Sequence, residues 1–177
     1  MSAATLTFDE AIQTVRSHDG RTIAELSAER PVLIVFLRHS GCTFCREALR
    51  DLQQQRKRIE QSGASIALVH LITDEEAARF FAPYGLDDVP RFSDPERQLY
   101  AAFDLQRGTF LQLMGPRVVW RGIQSLIAGH GLGSIRGDVR QLPGTFVVHR
   151  GKIVQAFRNQ TAADRPEYAD MACAVGK

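Results

Sequence analysis

Long hydrophobic runs are missing from this sequence. The longest near its start, Val32-Leu33-Ile34-Val35-Phe36-Leu37, is about a third of the roughly 20 residues that a bilayer-spanning helix needs, so no membrane segment is expected. Basic residues are missing from Met1 to Asp9, where a secretory leader would place a positive cluster ahead of an apolar stretch. Cysteine is scarce: a chain of 177 residues has three, too few to staple a small secreted domain, and two of them stand so close that a bridge would close only a tiny loop. A reducing compartment, the cytoplasm, is therefore expected. Charge of one sign is lacking too, since 24% charged residues sum to a net charge of +2, which points to neither a polyanionic partner such as nucleic acid nor a disordered tail. No GxGxxG follows a clear strand, so no dinucleotide site is expected, and no cofactor is implied.

What is present is apolar material in short, regular pieces. A hydrophobic content of 44% over 177 residues is enough for one core and not for two, so residues 1–177 are read as a single domain. Phe8, Ala11, Ile12 and Val15 recur at helical spacing, and Thr22 to Leu26 reads as a helical turn or an extended stretch. Val32 to Leu37, continuously apolar and rich in β-branched residues, predicts a central strand covered on both faces. Beyond the polar turn Arg38-His39-Ser40-Gly41, an amphipathic helix runs from Cys42 to about Gln61, with Leu49, Leu52 and Ile59 on one side. Ile66 to Ile72 predicts a second buried strand, and Thr73 with Glu75-Glu76 a capped helix to Phe81. A weaker strand is expected around Val89 to Phe92, then a helix capped at Ser93-Asp94-Pro95-Glu96 and running through Tyr100 to Phe103. Residues 106–141, punctuated by glycines and holding one helical patch near Trp120 to Ala128, read as an insert. Thr145 to His149 and Ile153 to Phe157 flank Arg150-Gly151-Lys152 as a β-hairpin, with a closing helix from about Arg165. The fold class is α/β: a central mixed sheet flanked by helices, with a Gly-rich insert before the final hairpin.

The chemistry concentrates at Cys42-Thr43-Phe44-Cys45. A thiol attacks only as the thiolate, and the unpaired N–H groups and dipole at a helix N-terminus lower its pKa. Two cysteines spaced CxxC at a helix start can close a disulfide across one turn, so a sulfenic acid or mixed disulfide on the first is resolved by the second. Cys42 is the candidate attacking thiol, and Cys45, one turn further in and less accessible, the resolving thiol. Arg38, His39 and Arg46 are supporting candidates, because positive charge nearby favours the thiolate; each also reads as ordinary loop or helix-surface polarity. A CxxC can also be half of a zinc site, yet the chain offers only one further cysteine, Cys173, with no second CxxC and no close histidine pair, so no metal is expected. A buried, inert pair is the third option. Cys173 reads as a packing residue in the closing helix, His70 and His149 as core or edge histidines, and Trp120 with the phenylalanines as core.

Val35-Phe36-Leu37-Arg38-His39-Ser40-Gly41-Cys42-Thr43-Phe44-Cys45-Arg46-Glu47 resembles the peroxiredoxin-like 2 group, related to selenoprotein U, within the alkyl hydroperoxide reductase / thiol-specific antioxidant (AhpC/TSA) superfamily. Phe92-Ser93-Asp94-Pro95-Glu96-Arg97-Gln98-Leu99-Tyr100 looks like the Asp-Pro helix start of that group, and Gly137-Asp138 followed by Gln141-Leu142-Pro143-Gly144-Thr145-Phe146-Val147-Val148 like its late strand. The resemblance implies a thioredoxin-like fold, Cys42 and Cys45 at the redox-active positions, and reduction of a peroxide or endoperoxide with electrons from thioredoxin or a similar dithiol donor. Two features depart from the parent patterns. Val35 and His39 stand where peroxiredoxins carry Pro and Thr in Pro-x-x-x-Thr-x-x-Cys, and Gly144 separates Pro143 from Thr145, where thioredoxins place a cis-proline directly before the Thr. Two other readings stay open on the residues: a thioredoxin-like reductase of protein disulfides, and a non-catalytic redox-sensing or binding module.

Overall fold

The computed structural model describes residues 6–38, 42–109, 115–127, 138 and 140–174. Strand β1 (Val32–Phe36) lies at the centre of a five-stranded sheet, between β2 (Ser65–His70) with β3 (Arg91–Ser93) on one side and β4 (Gly144–His149) with β5 (Lys152–Arg158) on the other. β1 to β3 run parallel, β4 runs antiparallel to β1, and β5 turns back antiparallel to β4, so the sheet is mixed as expected.

All five β1 residues are buried because both faces are covered. Side chains alternate between faces along a strand. Leu33, Val35 and Leu37 accordingly join the core beneath α3 (Thr43–Gln61), which also contains Cys42 and Cys45. Val32, Ile34 and Phe36 join the core on the other face, with α1 (Phe8–Thr14), α2 (Ile23–Glu29) and α5 (Gln98–Ala102). Ala48, Leu49, Leu52 and Ile59 form the buried stripe of α3, while Gln53, Gln54, Lys57 and Arg58 face water. Among the described residues no helix is long and apolar enough to cross a membrane.

Local signals set most boundaries. Thr7 with Glu10 and Thr22 with Glu25 form reciprocal capping boxes, in which each hydroxyl and carboxylate satisfies a free backbone N–H. The second box resolves the Thr22 to Leu26 ambiguity in favour of helix. Thr73 caps α4 (Asp74–Phe81). The hairpin between β4 and β5 turns at Arg150 and Gly151, with φ of 51° and 72°, the paired positive values of a tight turn whose twist matches its strands.

Four expectations are corrected. The helix placed after Ser93-Asp94 begins only at Gln98: residues 94–97 make a turn ending at Arg97 (φ 62°). The buried Asp94 carboxylate reaches past that turn to accept the N–H groups of Gln98 (2.8 Å), Leu99 (2.8 Å) and Tyr100 (3.2 Å). The closing helix, α7 (Tyr168–Cys173), also starts late, because Arg165 stays in the preceding loop to pair with Glu47 (3.0 Å) and Asp51 (3.1 Å) of α3. Trp120 is not core. It is 62% exposed on α6 (Pro116–Ile127), beside Val119, Ile123 and Ile127, whereas Val118 is buried; the periodicity predicted a helix without showing which face turns inward. The β3 strand lies slightly later than Val89 to Phe92.

The expected 106–141 insert lies partly outside the described residues. Its neck is held by an antiparallel bridge between Arg107 and Gln141. The buried Gln141 amide donates to the carbonyls of Leu105, Gln106 and Leu142, and Asp138 pairs with Arg97 (2.6 Å) and Arg107 (3.1 Å).

Candidate functional site

The C-terminal end of β1 and the N-terminal end of α3 meet at the cysteine pair. Cys42 is the residue before the first turn of α3, and its carbonyl accepts the N–H groups of Cys45 (3.1 Å) and Arg46 (3.2 Å). That places its sulfur at the positive end of the helix dipole, facing the N–H groups of Phe44 and Cys45. Arg38, itself 6% exposed, reaches back so that its guanidinium lies 3.7 Å from Cys42 Sγ. Its backbone N–H donates to Cys45 Sγ at 3.4 Å. One residue therefore touches both sulfurs, the first through its charge and the second through its peptide group.

The two thiols share a hydrogen bond and divide ionisation unequally. Cys42 falls from the ordinary thiol value of 9.0 to about 6, first because Cys45 donates its S–H to the Cys42 thiolate, with the Arg38 charge and the helix-start N–H groups adding to this against the opposing effect of burial. Cys45 is pushed well above the thiol range by the same hydrogen bond, by burial and by the neighbouring thiolate. At neutral pH the reduced pair holds one proton, and it sits on Cys45. Both cysteines are buried: Cys42 is 5% and Cys45 3% exposed. Cys45 is the less exposed of the two, in the order expected but by a small margin, so charge distinguishes them more than access does.

Pro143 and Thr145 reach the same place from the strand beside β1, Thr145 on β4 and Pro143 just before it. Thr145 is buried and pairs with Val35 of β1. Both line a small cleft with Cys45, Phe44, Arg38 and Arg165, in which the centre of a water-sized molecule has about 20 Å³, enough for a water or a comparably small head group. Among the described residues no peptide bond is cis, so Pro143 is trans. Gly144 between them packs closely: a Cβ there would come within 2.6 Å of a Leu105 methyl, and the Leu105 side chain would have to shift. Arg46 turns from the sulfurs to place its guanidinium 5.4 Å over the Phe80 ring. His39 lies outside the described residues. Reading the sequence missed Arg165, Asn159 and Tyr168, which also line the cleft; Pro166, one residue after Arg165, was the only local sign that this stretch is a loop.

The other titratable candidates have structural roles. His70 is buried, its Nδ1 lies 3.0 Å from the Ile72 carbonyl oxygen, and burial lowers its pKa to about 4, so it is neutral at pH 7. Cys173 is half-buried at the end of α7. Among the described residues no group of three or more His, Cys, Asp or Glu side chains could hold a metal ion.

Residues 51–161 match the family model described as AhpC/TSA antioxidant enzyme. The chain belongs to that family. It is an enzyme of the peroxiredoxin and thioredoxin-like oxidoreductase kind, and the matched segment begins just after the cysteine pair. A prostamide/prostaglandin F synthase of Danio rerio is 28% identical over 185 residues, covering 99% of this chain and 90% of that protein. The bacterioferritin comigratory protein of Xanthomonas campestris, solved for its alkyl peroxide reduction, superposes with a TM-score of 0.65 at 19% identity over 99% of this chain and 97% of its own. The peroxidoxin BcpB of Mycobacterium tuberculosis gives 0.62 at 18% over 92% and 89%. These structures bear out the thioredoxin-like α/β fold.

The split ionisation gives a pH dependence with a definite sign. Because the Cys42 pKa is depressed, thiolate reactivity is present above about pH 6 and lost as pH falls through that value. In a Cys173→Ser background, the iodoacetamide rate should follow this profile. Arg38→Met, which removes the cation 3.7 Å away, should move the midpoint upward by about one pKa unit and slow alkylation at pH 6 about fivefold, because a group half ionised at that pH becomes about one-tenth ionised.

Proposed function

We propose that this enzyme reduces an O–O bond through a Cys42/Cys45 dithiol-disulfide cycle. With a hydroperoxide, the Cys42 thiolate attacks one peroxide oxygen, the O–O bond breaks, the leaving oxygen takes a proton and departs as an alcohol or water, and Cys42 becomes a sulfenic acid; with a cyclic endoperoxide the attacked oxygen stays on carbon as a sulfenate ester, which Cys45 displaces as an alcohol when the disulfide forms. The Cys45 sulfur then attacks Cys42 Sγ; its proton and the sulfenic hydroxyl leave as water, and the disulfide forms across the first turn of α3. Thioredoxin or a similar dithiol donor in a reducing compartment, the cytoplasm, returns two electrons and two protons. Arg38 holds the charge on Cys42 in the first step.

The observation that carries this reading is geometric: Cys42 stands at the start of α3 with the Arg38 guanidinium 3.7 Å from its sulfur, and Cys45, one turn on, accepts the Arg38 N–H at 3.4 Å; this favours the thiolate on Cys42 beside a protonated Cys45. The prostamide/prostaglandin F synthase relatives support testing a cyclic endoperoxide beside simple hydroperoxides. A second reading, reduction of protein disulfides, is favoured by Val35 and His39 standing where peroxiredoxins carry Pro and Thr.

The test is consumption of hydrogen peroxide, tert-butyl hydroperoxide and a cyclic endoperoxide, coupled to oxidation of reduced thioredoxin. Turnover on at least one of them supports O–O reduction. No turnover on any, with turnover on a disulfide such as insulin, moves the assignment to disulfide reduction.

A further inference from the structure

Tyr100 is among the largest fully buried side chains of the described residues, and its hydroxyl projects to the point where β1 gives way to the cysteine turn. It donates to the Leu37 carbonyl oxygen, with the Val69 carbonyl oxygen 3.3 Å away. The Leu37 C=O and the Arg38 N–H are opposite ends of one planar peptide group, and the N–H end donates to Cys45 Sγ at 3.4 Å. A hydrogen bond accepted at the carbonyl fixes that plane and polarises the N–H. Tyr100 is itself seated by the start of α5, where Asp94 accepts the N–H groups of Gln98, Leu99 and Tyr100.

We propose that Tyr100 is a positioning residue of the thiol cycle: through the Leu37–Arg38 peptide it aims a polarised N–H at Cys45 Sγ and stabilises the negative charge that this sulfur takes when the disulfide opens. This rests on the Cys42/Cys45 cycle proposed above. In the step concerned, a donor thiolate attacks Cys42 Sγ, a new S–S bond forms to the donor, the Cys42–Cys45 bond breaks, and its electron pair leaves on Cys45. The N–H of Arg38 meets that charge. Tyr100 touches neither sulfur, and the first step, attack by Cys42, does not use it.

Tyr100→Phe removes the hydroxyl and keeps the ring. Opening of the Cys42–Cys45 disulfide by dithiothreitol should slow about fivefold, the size of one ordinary hydrogen bond, while alkylation of Cys42 in the reduced protein stays within about twofold of wild type, since no hydrogen bond to its sulfur is removed. Phe103→Leu loosens the same core, where Phe103 packs on Phe36 and Phe146, without touching the relay, and should leave the opening rate unchanged. A second arm does not depend on the disulfide. In a Cys42→Ser, Cys173→Ser background, where Cys45 is the one remaining thiol, Tyr100→Phe should slow Cys45 alkylation at pH 8 about fivefold. Unchanged rates in Tyr100→Phe, or equal slowing by Phe103→Leu, would overturn the proposal. A protein that forms no Cys42–Cys45 disulfide contradicts the cycle instead, and the second arm still decides on Tyr100.

Discussion

Cys42→Ser should lower peroxide-dependent turnover by at least about a thousandfold. A serine hydroxyl at the same helix start remains neutral at pH 7 and is a far weaker nucleophile, so the arrangement that lowers the thiol to about 6 has no anion to stabilise. The variant should fold normally, since Sγ and Oγ are close in size and the site is at the edge of the core beneath α3. Steady-state consumption of a hydroperoxide with a reduced dithiol donor measures the effect. Cys45→Ser differs in kind: the first oxidation proceeds, no intramolecular disulfide can form, and a sulfenic acid trappable by dimedone accumulates on Cys42. Equal loss in both variants without a trappable intermediate would contradict the assigned order of events.

Phe36→Ala should destabilise the protein by about 3–5 kcal/mol, the range for removing a fully buried phenylalanine. Phe36 is 0% exposed, and its ring contacts those of Tyr100 (5.0 Å), Phe103 (5.0 Å) and Phe146 (5.6 Å) between centroids. These rings come from α5, the residue that ends it and β4, on the face of the sheet away from the cysteines, so little can move inward to fill the space. Urea denaturation should show a lower midpoint at an unchanged slope. The protein that remains folded should keep its Cys42 alkylation rate near that of wild type, because the thiols pack on the other face with Leu33, Val35 and Leu37. A loss below about 1 kcal/mol would mean that this cluster collapses around the vacancy and does not form the rigid second core.

Elements governed by their own residues were legible in the sequence. β1 is an apolar run and is buried on both faces; α3 begins at Cys42 because the polar turn ends there and its apolar stripe follows; Thr73 caps α4. The hairpin at Arg150-Gly151 was equally plain. What was missed depends on partners distant in sequence. Leu37 and Tyr100 are separated by 63 positions, and nothing in either neighbourhood announces a hydrogen bond between them. Arg165 stays out of the closing helix because two carboxylates on α3 hold it. Asp94 was recognised as a cap, but its reach past Arg97 was not, because a cap is assumed to serve the residues directly after it. Trp120 shows the same limit, since helical spacing is satisfied equally by an inward and an outward face. At the site, the cysteines and the contact with Arg38 were legible, whereas the near-equal burial of the two sulfurs was not.

The most direct measurement uses the two arginines that bracket the pair. Trypsin cleaves after Arg38 and Arg46, so residues 39–46 leave as one peptide that contains both Cys42 and Cys45. After the reduced protein is treated with one equivalent of hydroperoxide and blocked with an alkylating agent, this peptide should be recovered unalkylated and lighter than its reduced form by two hydrogen atoms, with Cys173 alkylated as in the untreated sample. Recovery of the peptide with both cysteines alkylated, while hydroperoxide is still consumed, would contradict the cycle and place the chemistry elsewhere in the chain.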